Sequence, residues 1–129
     1  MILIIGGAWQ GKLAFAKELA EKAGIQTAQV AHGRTDRFDA ALKRPIIHDF
    51  HEYIRRILKE GKNVEEFIAS IEKENKDAII ISNELGCGIV PMEPEDREWR
   101  EVSGRSAVLL AKKAEEVYRL VCGIASRIK

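Results

Sequence analysis

Nowhere does the sequence approach the roughly 18 consecutive apolar residues that a membrane span requires, and its opening apolar stretch, Met1 to Ile5, carries no basic flank. We therefore expect no membrane span and a cytoplasmic location. Cysteine is scarce: Cys87 and Cys122 lie too far apart for a CxxC pair and match no zinc-site spacing, so both are expected as reduced thiols. An excess of one charge is also lacking. With 21 Lys+Arg against 20 Asp+Glu the formal net charge is +1, which argues against nucleic acid or an acidic membrane as a partner recruited by bulk charge. Low-complexity linkers and internal repeats are missing too. What remains is 129 residues, 46% of them apolar, enough to bury about two-thirds of the unfolded chain's surface in one domain, residues 1–129.

The pattern of elements follows from periodicity. Ile2-Leu3-Ile4-Ile5 is an unbroken apolar, β-branched run ending at Gly6-Gly7, the form of a strand buried on both faces of a parallel sheet. From Lys12 to Ala23 the apolar residues Phe15, Ala16, Leu19, Ala20 and Ala23 fall at helical spacing, and Gly24 closes that helix. A weak strand is expected over Gln26 to Ala31, then a polar loop with some helix over His32 to Arg44, and a short strand over Pro45 to His48. Helices follow at about Asp49 to Glu60, with Phe50, Tyr53, Ile54, Ile57 and Leu58 inward, and at Val64 to Glu74, with Phe67, Ile68 and Ile71 inward. Ala78 to Ser82 is the clearest buried strand and leads into a glycine-rich loop, Asn83 to Pro91. Pro94 suits the first turn of a helix reaching Lys113 with Trp99, Val102 and Val108 to Leu110 inward. Glu116 to Cys122 is a strand, followed by a last short extended piece after Gly123. Strands alternating with helices predict an α/β fold with a mostly parallel central sheet between helical layers.

The chemistry is concentrated after the first strand. Gly6, Gly7, Ala8, Trp9, Gln10, Gly11, Lys12 and Leu13 fit GxxxxGK between a strand and a helix, the pattern of a phosphate-binding loop. Glycines let successive N–H groups converge on phosphate oxygens at a helix N-terminus, and the lysine reaches the outer phosphates. This predicts a P-loop three-layer sandwich that binds a nucleotide. The position that usually supplies a Ser or Thr hydroxyl to Mg²⁺ is Leu13, which cannot ligate a metal.

Three strings, Asn83-Glu84-Leu85-Gly86-Cys87-Gly88-Ile89-Val90-Pro91, Arg100 to Arg105, and Gly123 to Lys129, resemble the adenosylcobinamide kinase / adenosylcobinamide-phosphate guanylyltransferase family of cobalamin biosynthesis. With the phosphate loop, the resemblance spans Met1 to Gly24 and Asp77 to Lys129 well, and Pro45 to Lys76 loosely. It implies a homo-oligomeric P-loop kinase that uses ATP or GTP, with Mg²⁺, to phosphorylate a corrinoid side-chain hydroxyl. It further implies GMP transfer through a guanylyl-histidine. In that setting Lys12 and Asp49 are the implied catalytic residues, Asp49 or His48 the residue positioning Mg²⁺, and Asn83, Glu84, Gly86 and Gly88 a loop at the site's mouth. This chain departs from the family in four polar positions, now Leu13, His48, Ala107 and Val108. The segment that carries the guanylylated histidine is shortened to about Gln26 to Pro45, with His32 its only histidine. Those departures keep a second reading open, a pseudoenzyme serving as a nucleotide-binding regulatory or assembly partner.

Smaller features have plainer expectations. His48 and His51 read as a solvated or nucleotide-facing pair, or else as a metal pair on one helical face. Trp9 reads as a stacking residue for a ligand or an oligomer contact. Arg55, Arg56, Lys59 and Lys62 read as a solvated helix face, and Glu93, Glu95, Asp96 and Glu98 as acids favoured in a first helical turn.

Overall fold

The computed structural model describes residues 1–25, 29–85 and 93–129. Their elements, in chain order, are β1 (Ile2–Gly6), α1 (Lys12–Lys22), β2 (Val30–His32), a 3-10 turn (Phe38–Leu42), β3 (Ile46–His48), α2 (Phe50–Lys59), α3 (Val64–Glu74), β4 (Ile79–Asn83), α4 (Pro94–Lys113), β5 (Glu116–Val121) and β6 (Ile124–Arg127). The six strands form one sheet in the order β2-β3-β4-β1-β5-β6, parallel throughout except for the β5–β6 hairpin.

Residues alternate across the sheet, and each face is apolar because each is covered. Leu3, Ile47, Ile80 and Val117 point into a cluster with Phe50, Tyr53 and Ile54 of α2, Ile68 and Ile71 of α3, and Leu110 of α4. Ile4, Ile46, Ile79 and Ile81 point the other way, against Ala16 and Ala20 of α1. The result is an α/β three-layer sandwich, with α1 alone on one face and α2, α3 and α4 on the other. Ala16 and Ala20 let α1 lie close to the sheet, and the five-residue connection from Gly6 keeps its N-terminus near the C-terminal end of β1.

Several sequence expectations need correction. The weak strand is shorter, Val30–His32, and Gln26 to Ala28 lie outside the described residues. Asn83 belongs to β4 rather than to the loop after it, paired with Gly6 of β1. Gly86, Cys87, Gly88 and the rest of that loop through Met92 lie outside the described residues. Val108 is 57% exposed, because Ser103, Ser106 and Leu110 take the inward face of α4. Arg56 is not a solvated residue: its guanidinium donates to the carbonyls of Gly33 (2.8 Å) and Asp36 (2.6 Å) and lies over Phe38 and Tyr53. Among the described residues no helix is long and apolar enough to cross a membrane.

Candidate functional site

Parallel sheets place the carboxyl ends of their strands on one edge, and ligands of open α/β sheets bind outside that edge. Here the edge carries Gly6 of β1, His32 of β2, His48 of β3 and Asn83 of β4. His32, His48 and Asn83, together with the β1–α1 loop, border a cleft of about 700 Å³.

The loop's shape is fixed by its glycines and by one glutamine. A Cβ at Gly6 would sit 2.6 Å from the carbonyl oxygen of Leu120, so only glycine lets β1 pass β5 this closely. Gly11 takes the left-handed conformation (φ +83°) that turns the chain into α1. The Gln10 side-chain oxygen accepts from the backbone N–H of Cys122, and its carbonyl accepts from Gly123 N–H (3.2 Å), which ties the loop to the β5–β6 turn. Trp9 (φ +62°) projects outward and is 99% exposed. No side chain caps α1 and no acid occupies its first turn, so its leading N–H groups and positive dipole end are open to an anion.

Lys12 opens α1, is buried, and donates from Nζ to the Gly7 carbonyl inside its own loop. Burial lowers its pKa, and the carboxylates of Asp49 and Glu84 partly offset this. Leu13 packs partly against the apolar cluster under α1.

Asp49 reaches the cleft through a backbone reversal. It follows β3 in the left-handed conformation (φ +53°, ψ +49°) and precedes α2 without capping it, so its carboxylate remains available. A strand bulge is not needed. Its Oδ1 lies 3.5 Å from His48 Nε2 and 4.0 Å from His51 Nε2. Glu84 lies at the end of β4 and forms a two-pronged pair with Arg119, through Nε (2.8 Å) and Nη2 (3.2 Å).

The expected His48–His51 pair does not form as a shared ligand face. His48 ends β3 at the cleft, half-buried, whereas His51 turns inward and is 3% exposed. His51 Nδ1 accepts from Asn83 N–H (3.1 Å), its ring stacks on Trp99, and its carbonyl accepts from Trp99 Nε1 (2.6 Å). Burial pushes the His51 pKa down to about 4, against the pull of Asp49. The ring is thus neutral with its proton on Nε2. The unfolded value near 6.5 is higher, so the unfolded state binds the extra proton first and stability is complete only above pH 6.5. We expect stability to fall by roughly 3 kcal/mol as pH drops from 6.5 to 4, and His51→Gln to flatten that part of a urea-midpoint profile. A profile unchanged by the substitution counts against this.

His32 and His48 stand side by side because β2 and β3 are parallel and in register at these two residues. Their Nδ1 atoms are 3.4 Å apart and their rings meet edge to face. The pKa of His48 is lowered, chiefly by burial. After β2 the chain is held by Asp36, which accepts from His32 N–H (2.7 Å) and from Arg44 (3.0 Å), and whose pKa is lowered mainly by the backbone bond. Arg34 and Thr35 also border the cleft, and periodicity gave no sign of them. The available signal was their position just past the carboxyl end of a strand.

Among the described residues no group of three or more His, Cys, Asp or Glu side chains is arranged around a metal ion. Mg²⁺ carried by a nucleotide keeps several waters and asks for only one or two protein carboxylates, so the single carboxylate of Asp49 fits such an ion while Leu13 contributes nothing.

Residues 51–128 match the model of the cobinamide kinase / cobinamide phosphate guanyltransferase family. The chain belongs to this family. It is 35% identical over 66 residues to the bifunctional adenosylcobalamin biosynthesis protein CobU of Escherichia coli (strain K12), covering 51% of this chain and 36% of that protein. The corresponding protein of Salmonella typhimurium (strain LT2) is 37% identical over 62 residues, covering 48% of this chain and 34% of that protein. The chain thus matches about a third of the length of these relatives. The kinase / guanyltransferase family match begins at His51, one residue into α2, and so lies beyond the β1–α1 loop, His32, His48 and Asp49.

Proposed function

We propose that this chain is a single nucleotide-binding domain that binds ATP or GTP on residues 6–13 and transfers a phosphoryl group to a hydroxyl of a corrinoid such as adenosylcobinamide. The observation that carries the proposal is the convergence, at the open N-terminus of α1, of a glycine-shaped loop, the buried Lys12 and the uncapped carboxylate of Asp49. Backbone N–H groups of Gly7 to Lys12 hold phosphate oxygens. Lys12 leaves the Gly7 carbonyl for the outer phosphates and stabilises charge on the transferring group. Asp49 holds the water shell of a nucleotide-borne Mg²⁺, which supplies charge neutralisation when bound. Asn83, which ends β4, and Glu84, which follows it, edge the corrinoid side. Guanylyl transfer is not proposed, because the segment that would present the nucleophile is shortened to about residues 26–45, with His32 its one histidine. The same reading places the protein in the cytoplasm as a homo-oligomer, with Trp9, Val121 and Ile124 exposed for contact.

The packing of Leu13 against the core favours one competing reading, a pseudoenzyme that binds nucleotide as a regulatory or assembly partner. Losing one hydrogen bond to a charged group costs about 1.5–3 kcal/mol, or roughly 10- to 150-fold in rate if it all falls on the transition state. That weakens a kinase without abolishing it. Phosphate transfer from ATP or GTP that depends on added adenosylcobinamide is the expected result. Nucleotide binding with no corrinoid-dependent turnover would establish the regulatory reading instead.

A further inference from the structure

We infer that His32 and His48 form a binding site for a divalent transition-metal ion of the Zn²⁺ class on the wall of the cleft, with coordination positions left open to water or phosphoryl oxygens. The two imidazoles come from adjacent strands whose register pairs them directly, so their approach is set by the sheet rather than by flexible loops. Their Nδ1 atoms face each other at 3.4 Å. This is longer than the usual ~2.7–3.2 Å hydrogen-bond range. It equals the span of two ligands on a tetrahedral ion, since Zn–N bonds of about 2.0–2.1 Å meeting at the tetrahedral angle put their nitrogens about 3.3–3.4 Å apart.

A second, independent feature points the same way. Metal-bound histidines characteristically turn their other ring nitrogen to a carboxylate or carbonyl, which fixes the tautomer and frees the ligating lone pair. In His48 the Nε2 side of the ring is the one nearest a carboxylate, with Asp49 Oδ1 3.5 Å away and within reach of a small ring shift, while its Nδ1 faces His32. Two nitrogen donors suit Zn²⁺, Co²⁺ or Ni²⁺ and do not suit Mg²⁺, which takes oxygen ligands. Only two protein ligands converge, so the ion must complete its shell elsewhere. The same cleft holds Lys12 and the phosphate loop, which makes a phosphoryl oxygen a suitable third ligand.

The test uses the full chain and no nucleotide, so its outcome is separate from that of the proposed function. ZnCl₂ titrated by calorimetry is expected to show one ion per chain. Co²⁺ is expected to give the visible absorption of a tetrahedral nitrogen–oxygen site. His32→Ala and His48→Gln are each expected to weaken Zn²⁺ at least 10-fold, and Asp49→Asn about 10- to 100-fold through loss of the orienting carboxylate. Millimolar Mg²⁺ is expected to leave binding unchanged. His32 is exposed, so its replacement leaves the core intact, and circular dichroism verifies folding of all three variants. The inference is overturned if wild type binds no Zn²⁺, if both histidine variants bind as wild type does, or if Co²⁺ shows a thiolate charge-transfer band, which would place the metal on cysteine.

Discussion

Lys12→Ala is expected to weaken ATP and GTP binding about 10- to 150-fold, the effect of removing a hydrogen bond to a charged group worth about 1.5–3 kcal/mol. Any corrinoid-dependent phosphoryl transfer is expected to fall further, by about 10²- to 10³-fold, as when one donor to developing oxyanion charge is removed. The size of the effect follows from where the lysine stands. Its ammonium is buried, its pKa is lowered by that burial, and its present partner is a neutral carbonyl of its own loop. A phosphate arriving at the helix N-terminus offers a far better partner, so binding energy is released only when the nucleotide is present. Because the ammonium is costly to bury, its loss is not expected to unfold the protein, and the thermal midpoint without nucleotide is the control. Calorimetric titration of wild type and variant, with and without Mg²⁺, checks the prediction. Equal affinity in both would remove the phosphate loop from the function.

Gly33→Ala is expected to be the most damaging added methyl group among the described glycines. An added Cβ would lie 2.0 Å from the Asp49 carbonyl oxygen, 2.9 Å from its carbonyl carbon and 3.1 Å from the Tyr53 backbone nitrogen. These are backbone atoms of the β3–α2 junction, and they cannot swing aside as a side-chain end would. Gly33 is held there by its N–H to the His48 carbonyl (2.8 Å) and by Arg56 on its own carbonyl (2.8 Å), so escape breaks both bonds. Overpacking of this kind costs about 3 kcal/mol or more, which for a domain of this size lowers the thermal midpoint by roughly 10–15 °C. Because the clash falls on Asp49, nucleotide affinity in Mg²⁺ is expected to fall as well. Gly104→Ala is the contrast: it lies in α4 with nothing within 4 Å of the added methyl, and a gain of up to ~1 kcal/mol is expected. Unfolding midpoints of the two variants on the same side of wild type would refute the packing argument.

The sequence determined most of the architecture, because that architecture rests on local patterns. Apolar runs at Ile2 to Ile5 and Ala78 to Ser82 predict strands covered on both faces, helical spacing predicts helices over Lys12 to Ala23 and Val64 to Glu74, and GxxxxGK between strand and helix predicts where a phosphate would sit. Short or weakly patterned elements were less legible: three residues of β2 leave too little alternation to locate its bounds, and the inward face of α4 turned on serines rather than on Val108. What only the tertiary structure decided is which distant residues meet. His32 and His48 are 16 residues apart and become neighbours through the register of two parallel strands. His51 looked like a partner of His48 by spacing, yet the left-handed turn at Asp49 ends the strand between them and sends its ring into the core beneath Asn83. That same turn, made where Gly33 leaves no room for a side chain, brings the Asp49 carboxylate toward Lys12. Periodicity records which face of an element is buried, whereas register, backbone reversals and close approaches depend on contacts between segments that no local pattern encodes.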